Sequence, residues 1–135
     1  AVREGVAGPT FASVSDPSQL MAEIVARTRE MVELVNGGNV AVVVPDLMAE
    51  KIADIFAEAG MAFGRASNTA LDNGITIVPV SVVKGLELDG VVVVEPSDIV
   101  EAEAQGMRSL YVALTRATQR LTVVHARPLP APMIA

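Results

Sequence analysis

The chain has 135 residues, of which 51% are hydrophobic and only 3% aromatic, and its formal net charge is −6. This length suits a single domain with a sizeable core. A core built from Val, Ile, Leu, Ala and Met is typical of a buried parallel sheet covered by helices. The chain has no cysteine and one histidine, His125, which excludes disulfides and cysteine or histidine metal clusters, so we expect no metal site.

Charge and hydropathy narrow the class of protein further. No uninterrupted apolar run approaches the roughly 18 to 20 residues of a membrane-spanning helix, and the start AVREGVAGPT lacks the pattern of a signal peptide. We therefore expect a cytoplasmic protein with no membrane contact. The acidic balance argues against a stand-alone nucleic-acid binder. The residues after Glu103 nevertheless include four arginines and no acid, which is either a functional cationic surface or ordinary solvated charge.

The predicted elements alternate between strand and helix along the chain. The first helix has marked ends, because Asp16 can cap it, Pro17 suits its first position and Gly37 follows its last turn. Leu47 is expected on the core-facing side of the second helix. In chain order we predict strand 10–14, helix 17–36, strand 39–44, helix 47–59, a short strand 61–65, strands 75–80 and 91–95, a helical turn within 97–106, helix 107–117 and strand 121–125.

Continuous apolar strands that alternate with helices predict a three-layer α/β fold, in which a mostly parallel sheet has helices on both faces. We assign residues 1–127 to this domain and residues 128–135 to a loose C-terminal tail. The sequence contains neither G-x-x-x-x-G-K-[ST] nor G-x-G-x-x-G. The chain therefore has no phosphate-binding loop of its own.

One polar stretch, Lys84-Gly85-Leu86-Glu87, separates two valine runs of the predicted core. Polar groups at the carboxyl end of a parallel strand lie where open α/β sheets bind ligands. Gly85 allows a close backbone approach, Glu87 can accept hydrogen bonds from a sugar hydroxyl, and Lys84 can pair with phosphate. The alternative is an ordinary surface turn with a solvated lysine and glutamate, which composition alone favours.

A second stretch, LYVALTRA at residues 110–117, has helical periodicity. On a helical wheel that spans residues 107–121, Leu110, Leu114 and Leu121 share one apolar stripe, and Arg116 falls on the opposite side. A guanidinium that projects from the core can bind a phosphate held by another domain, because its planar fork suits bidentate contacts. An ordinary surface arginine is the alternative.

KGLELD at 84–89, followed by YVALTRA at 111–117, resembles motifs V and VI of superfamily 1 helicases of the UvrD/Rep type. The resemblance implies the second RecA-like domain (2A) of such a motor, which closes over ATP and Mg²⁺ held by an N-terminal P-loop domain. It implies that Arg116 is the catalytic arginine finger and that Gly85 and Glu87 contact the nucleotide. Lys84 would couple the nucleotide to the nucleic-acid side.

The sequence departs from the family pattern T-x-H-x-x-K-G-L-E-F. Ser81 stands where many relatives carry the histidine of the nucleic-acid side, and Pro79 and Leu88 replace the threonine and phenylalanine. Arg108 is the last arginine of a segment that reads E-E-R-R in many relatives, and we place it on the nucleic-acid side with Ser81. The chain lacks the large 2B insertion, which makes it most similar to the helicase IV and HelD-like branch.

The resemblance predicts the C-terminal half of an ATP-dependent DNA helicase or translocase, excised from a larger protein and inactive alone. We expect a monomer whose partners are the P-loop domain of the same protein and DNA. RNA polymerase is a further candidate partner, because it is the target in part of the HelD-like branch. A non-motor α/β module that binds a nucleotide or RNA polymerase is the alternative.

Overall fold

The structure is a computed structural model that describes residues 9–65, 74–83, 88–102 and 104–130. Within these residues the strands are β1 Thr10–Ser13, β2 Asn39–Val44, β3 Gly64–Arg65, β4 Gly74–Pro79, β5 Leu88–Val94 and β6 Ala117–His125. The helices are α1 Leu20–Leu34, α2 Ala49–Glu58, α3 Pro96–Ala102 and α4 Gly106–Leu114. The strands form one sheet in the order β1-β6-β5-β2-β4-β3, and every neighbouring pair is parallel.

The two central strands, β2 and β5, carry the core. Their valines are 0–1% exposed, and because successive side chains of a strand point to opposite faces, they divide between two apolar clusters. On one face α1 and α2 contribute Ile24 and Phe56, which pack with Val42. On the other face α3 and α4 contribute Ile99 and Leu110. The predicted three-layer α/β fold is confirmed.

The predicted helices have shifted bounds in the structure, and two of these shifts change the position of a residue singled out in the sequence. A 3-10 turn at Asp46–Met48 precedes α2, so α2 begins at Ala49. The prediction that Leu47 faces the core is wrong, because this turn leaves its side chain 96% exposed. The helix predicted at 107–117 ends at Leu114, and β6 begins at Ala117, where pairing with β5 replaces helical hydrogen bonds. Among the described helices, none combines the length and apolarity needed to cross a membrane.

The segment after β6 is tied to the carboxyl edge of the sheet. Glu95, 3% exposed and at φ 49°, accepts hydrogen bonds from the backbone N–H groups of Ala126 and Arg127 at 3.2 and 3.1 Å. The Arg127 guanidinium contacts Asp98 at 2.5 Å and Glu101 at 2.6 Å on α3. Leu129 packs against the apolar cluster under α3 and α4. The predicted domain boundary at residue 127 stays a prediction.

The ion pair between Arg127 and Glu101 has a defined pH dependence. The direct hydrogen bond from Arg127 holds the pKa of Glu101 below its usual range. Because the pKa is lower in the folded state, the stabilisation is complete above the unfolded pKa and is lost as the pH falls through the folded pKa. In Arg127→Gln we expect the midpoint of the Glu101 carboxyl titration, followed by ¹³C NMR, to move upward. Arg29→Gln, on α1, is the control that leaves it unchanged, and an unchanged midpoint in Arg127→Gln would contradict the pairing.

Candidate functional site at the amino edge of the sheet

The structure places Leu88, the residue after the KGLE segment at 84–87, next to the end of the LYVALTRA stretch at the amino edge of the sheet. The backbone N–H of Leu88 donates to the carbonyl of Arg116 at 3.1 Å, and the Thr118 hydroxyl donates to the carbonyl of Leu88 at 3.2 Å. Leu88 pairs in register with Ala117 as β5 and β6 begin. The residue that directly follows the KGLE segment is therefore held beside Arg116.

The KGLE segment itself, with Lys84, Gly85 and Glu87, lies outside the described residues. The strand before it ends at one edge of the sheet, and the strand after it begins at the other. Pro79 ends β4 at the carboxyl edge, and Leu88 opens β5 at the amino edge. Its predicted position at the carboxyl edge therefore stays a prediction.

The Arg116 side chain is positioned by the end of α4. The hydroxyl of Thr115 donates to the carbonyls of Tyr111 and Val112 at 3.0 and 3.1 Å, which closes the last turn and places Arg116 beyond the helix. The helical-wheel argument for its direction is therefore wrong. Arg116 is half-buried instead, and its Nε donates to the carbonyl of Val112 at 3.2 Å. The free carbonyls at a helix C-terminus favour a cation there.

The outer nitrogens of the Arg116 guanidinium make few contacts with the described residues. Its Nη2 makes one long contact, 3.5 Å, to the Thr115 hydroxyl. Across the described part of the chain no carboxylate pairs with it, whereas Arg27, Arg65 and Arg127 each contact acids. A guanidinium that is anchored through Nε and free of an acid can bind an anion through its outer nitrogens.

A polar clasp fixes the amino edge around this site. The Asp89 carboxylate accepts from the Asn39 backbone at 2.9 Å, and the Asn39 side-chain oxygen accepts from the Asp89 backbone at 2.7 Å. Gln119 donates to the same carboxylate at 3.3 Å. The clasp joins β2, β5 and β6, so Asp89 holds Leu88 in place. Sequence reasoning did not assign Asp89 a role, and its only signal was a polar residue at the start of a valine run.

The two residues predicted on the nucleic-acid side lie elsewhere. Ser81 is exposed in the turn after β4, at the carboxyl edge, and its backbone N–H donates to the Asp46 carboxylate at 3.1 Å. Arg108 is exposed in the first turn of α4. No hydrogen bond or ion pair in the described structure joins Ser81, Arg108 and Arg116 to one another. None of the described residues forms a cluster of three His, Cys, Asp or Glu that could hold a metal ion.

The sheet order and the two helical layers define the RecA-like fold of helicase domains. A similar solved structure is the C-terminal domain of a possible DNA helicase from Lactobacillus plantarum WCFS1. It has a TM-score of 0.78 and 20% identity, and the alignment covers 93% of this chain and 78% of that one. The Sulfolobus solfataricus SWI2/SNF2 ATPase core in complex with dsDNA has a TM-score of 0.65, 11% identity and coverage of 88% and 28%.

A third structure, Arterivirus nonstructural protein 10 (helicase) with DNA, has a TM-score of 0.57, 19% identity and coverage of 92% and 31%. At these identities the structural matches show the fold alone. The sequence comparison is more specific than the structural matches, because residues 74–124 match the UvrD-like helicase C-terminal domain family. The matched segment spans Ser81, the KGLE segment and Arg116. No curated protein sequence matches the chain.

Proposed function

We propose that this chain is the C-terminal RecA-like half of an ATP-dependent DNA helicase or translocase. In this proposal a P-loop domain outside the chain binds ATP and Mg²⁺, and this chain supplies Arg116 as an arginine finger. The observation that carries the proposal is the hydrogen bond from the backbone N–H of Leu88 to the carbonyl of Arg116, which joins the residue after the KGLE segment to the second motif-like stretch. The family match over residues 74–124 covers both stretches and supports it.

The chemistry of Arg116 suits this role. The transition state of phosphoryl transfer spreads negative charge over the equatorial oxygens, and an arginine positioned in advance stabilises that charge. Arg116 is anchored through Nε at 3.2 Å and makes no ion pair with a described acid. In this proposal Gly85 and Glu87 contact the nucleotide and Lys84 couples it to the nucleic-acid side, as their positions in the KGLE segment imply.

DNA as the substrate of the complete protein is part of the proposal. It draws on the two structural neighbours that are complexes with DNA. The helicase IV and HelD-like branch is proposed on compactness, because only residues 66–73 separate β3 from β4, which leaves no room for a 2B insertion. RNA polymerase is the alternative partner that this branch suggests.

Binding of ATP by the isolated chain separates this proposal from a stand-alone nucleotide-binding module. Without a phosphate-binding loop, the folded 135-residue chain is expected to show no heat of ATP binding by calorimetry at millimolar ATP and Mg²⁺. The complete protein, with its P-loop domain, is expected to bind. Saturable binding by the isolated chain would favour the stand-alone module, and circular dichroism of the same sample confirms that the chain is folded.

A further inference from the structure

A β-bulge interrupts the pairing of β5 with β6 next to Arg116. Leu88 pairs with Ala117 and Gly90 pairs with Arg120, so two steps along β5 correspond to three steps along β6. The extra residue of a bulge changes the direction of nearby side chains, and bulges are common next to active sites. This bulge lies where a small shift of β6 would change the direction of the Arg116 side chain.

The Asp89 side chain holds the bulge from β5. Its Oδ1 accepts a hydrogen bond from the side chain of Gln119, within the bulged segment, at 3.3 Å. Its Oδ2 accepts from the Asn39 backbone N–H on β2 at 2.9 Å. Beside it, the Thr118 hydroxyl donates to the carbonyl of Leu88. Because a carboxylate only accepts, its two oxygens can serve two donors at once, and Asp89 thus ties the bulge to the central strand β2.

The loop before β2 makes room for this carboxylate. A Cβ on Gly38 would lie 2.4 Å from the Oδ2 of Asp89 and 2.8 Å from its Cγ. Gly37 has a φ of 90°, but Gly38 lacks a positive φ. Position 38 therefore requires a glycine because of the close approach of Asp89 and not because of its own backbone conformation.

The contacts of Asp89 reach Arg116 through Leu88. Leu88 precedes Asp89 in the chain and is 1% exposed, and its backbone N–H donates to the carbonyl of Arg116 at 3.1 Å. On the other side, the Nε of Arg116 donates to the carbonyl of Val112 at 3.2 Å. The backbone of Arg116 is thus held by β5, while its side chain is held by α4.

We propose that Asp89 is a positioning residue, which holds Arg116 in the geometry that phosphoryl transfer needs. The inference rests on the proposed role of Arg116 as an arginine finger and adds a second residue on which that role depends. Asp89 acts through Leu88 and the bulge, without contacting the nucleotide. A catalytic group must be held within about 0.5 Å of its productive position, and a displacement of about 1 Å can lower a rate by about 10²-fold.

Substitutions in the complete protein test the effect on turnover. Asp89→Ala should lower the ATP turnover number by about tenfold at an unchanged KM for ATP, because only the position of Arg116 is disturbed. Asp89→Asn should keep most of the turnover, because its amide oxygen can accept from the β2 backbone and its NH₂ group can donate to Gln119. Gly38→Ala keeps the carboxylate but displaces it, so it should behave like Asp89→Ala. Asp54→Ala, which removes an exposed aspartate on α2, is the matched control and should stay close to wild type.

A double variant separates positioning from a general structural role. If Asp89 acts through Arg116, Asp89→Ala should lower turnover by less than about twofold in a protein that already carries Arg116→Ala. A merely structural role would lower turnover by the same factor in both backgrounds, and that result would overturn the proposal. Equal turnover of Asp89→Ala and wild type would also overturn it.

Hydrogen exchange of the Leu88 amide tests the contact without ATP. In ¹⁵N NMR spectra of the 135-residue chain, this amide should exchange at least about tenfold faster in Asp89→Ala than in wild type or Asp54→Ala. Unchanged exchange would overturn the proposal even if turnover falls. Near-normal turnover in Arg116→Ala would remove the finger role and this inference together, whereas a loss in Arg116→Ala with full turnover in Asp89→Ala would remove this inference alone.

Discussion

Replacing Arg116 by alanine in the complete protein is expected to lower the ATP turnover number by about 10³-fold or more, the range found for arginine fingers. The KM for ATP should change little, because the P-loop domain supplies ground-state binding in our proposal. The physical reason is that the guanidinium stabilises charge that develops only in the transition state. Steady-state ATP hydrolysis with and without DNA measures kcat and KM separately.

Two further variants separate a finger from a structural arginine. Arg116→Lys keeps the charge but loses the planar fork and the Nε contact to Val112, so it should recover only part of the lost turnover. Arg29→Ala removes an arginine on α1, whose Nη2 donates to the Ala59 carbonyl at 2.9 Å. It should leave turnover close to wild type. Near-normal turnover in Arg116→Ala would rule out the finger, and a raised KM at unchanged kcat would indicate a ground-state contact instead.

The valine runs made the sheet predictable, because residues 40–44 and 91–94 are buried on both faces and only a parallel sheet with two helical layers covers them. Helical periodicity gave the wrong conformation after Leu114, where α4 ends. Ala117 and Leu121 stand at helical spacing from Leu114, yet they lie in β6, because pairing with β5 decides the conformation. The prediction that Leu47 faces the core failed for a related reason, since the 3-10 turn that follows Pro45 rotates its side chain away from the core.

The sequence predicted which two stretches form the candidate site, but not where in the fold the site lies. The LYVALTRA stretch singles out Arg116 as a candidate site residue. Its position beside Leu88, however, depends on the pairing between β5 and β6. The clasp between Asn39 and Asp89 joins residues 50 positions apart, which no local pattern reports. Asp46 and Glu101 likewise line one cavity at the carboxyl edge, although they come from segments that only the strand order brings together.

Gly106→Ala is expected to destabilise the fold by about 1–3 kcal/mol, the range of substitutions that overfill a packed site. At most exposed helix positions this change stabilises, by up to about 1 kcal/mol. Here a Cβ on Gly106 would lie 2.1 Å from the Val100 carbonyl oxygen and 2.6 Å from that of Ile99. Both are backbone atoms of α3, so no side-chain rotation relieves the overlap, and α3 must move although Ile99 is 1% exposed.

In urea unfolding, this loss should appear as a lower midpoint concentration of urea, while the dependence of the unfolding free energy on urea stays unchanged. Gly64→Ala is the matched control, because a Cβ there meets nothing within 4 Å and Gly64 lacks a positive φ, so the midpoint should stay near wild type. Equal stability of the two variants would show that α3 and α4 are not packed this closely. Because α4 ends at Leu114, two residues before Arg116, and its Val112 carbonyl accepts from the Arg116 Nε, a displaced α4 would also move the guanidinium. Gly106→Ala should therefore lower ATP turnover in the complete protein even at temperatures where it stays folded.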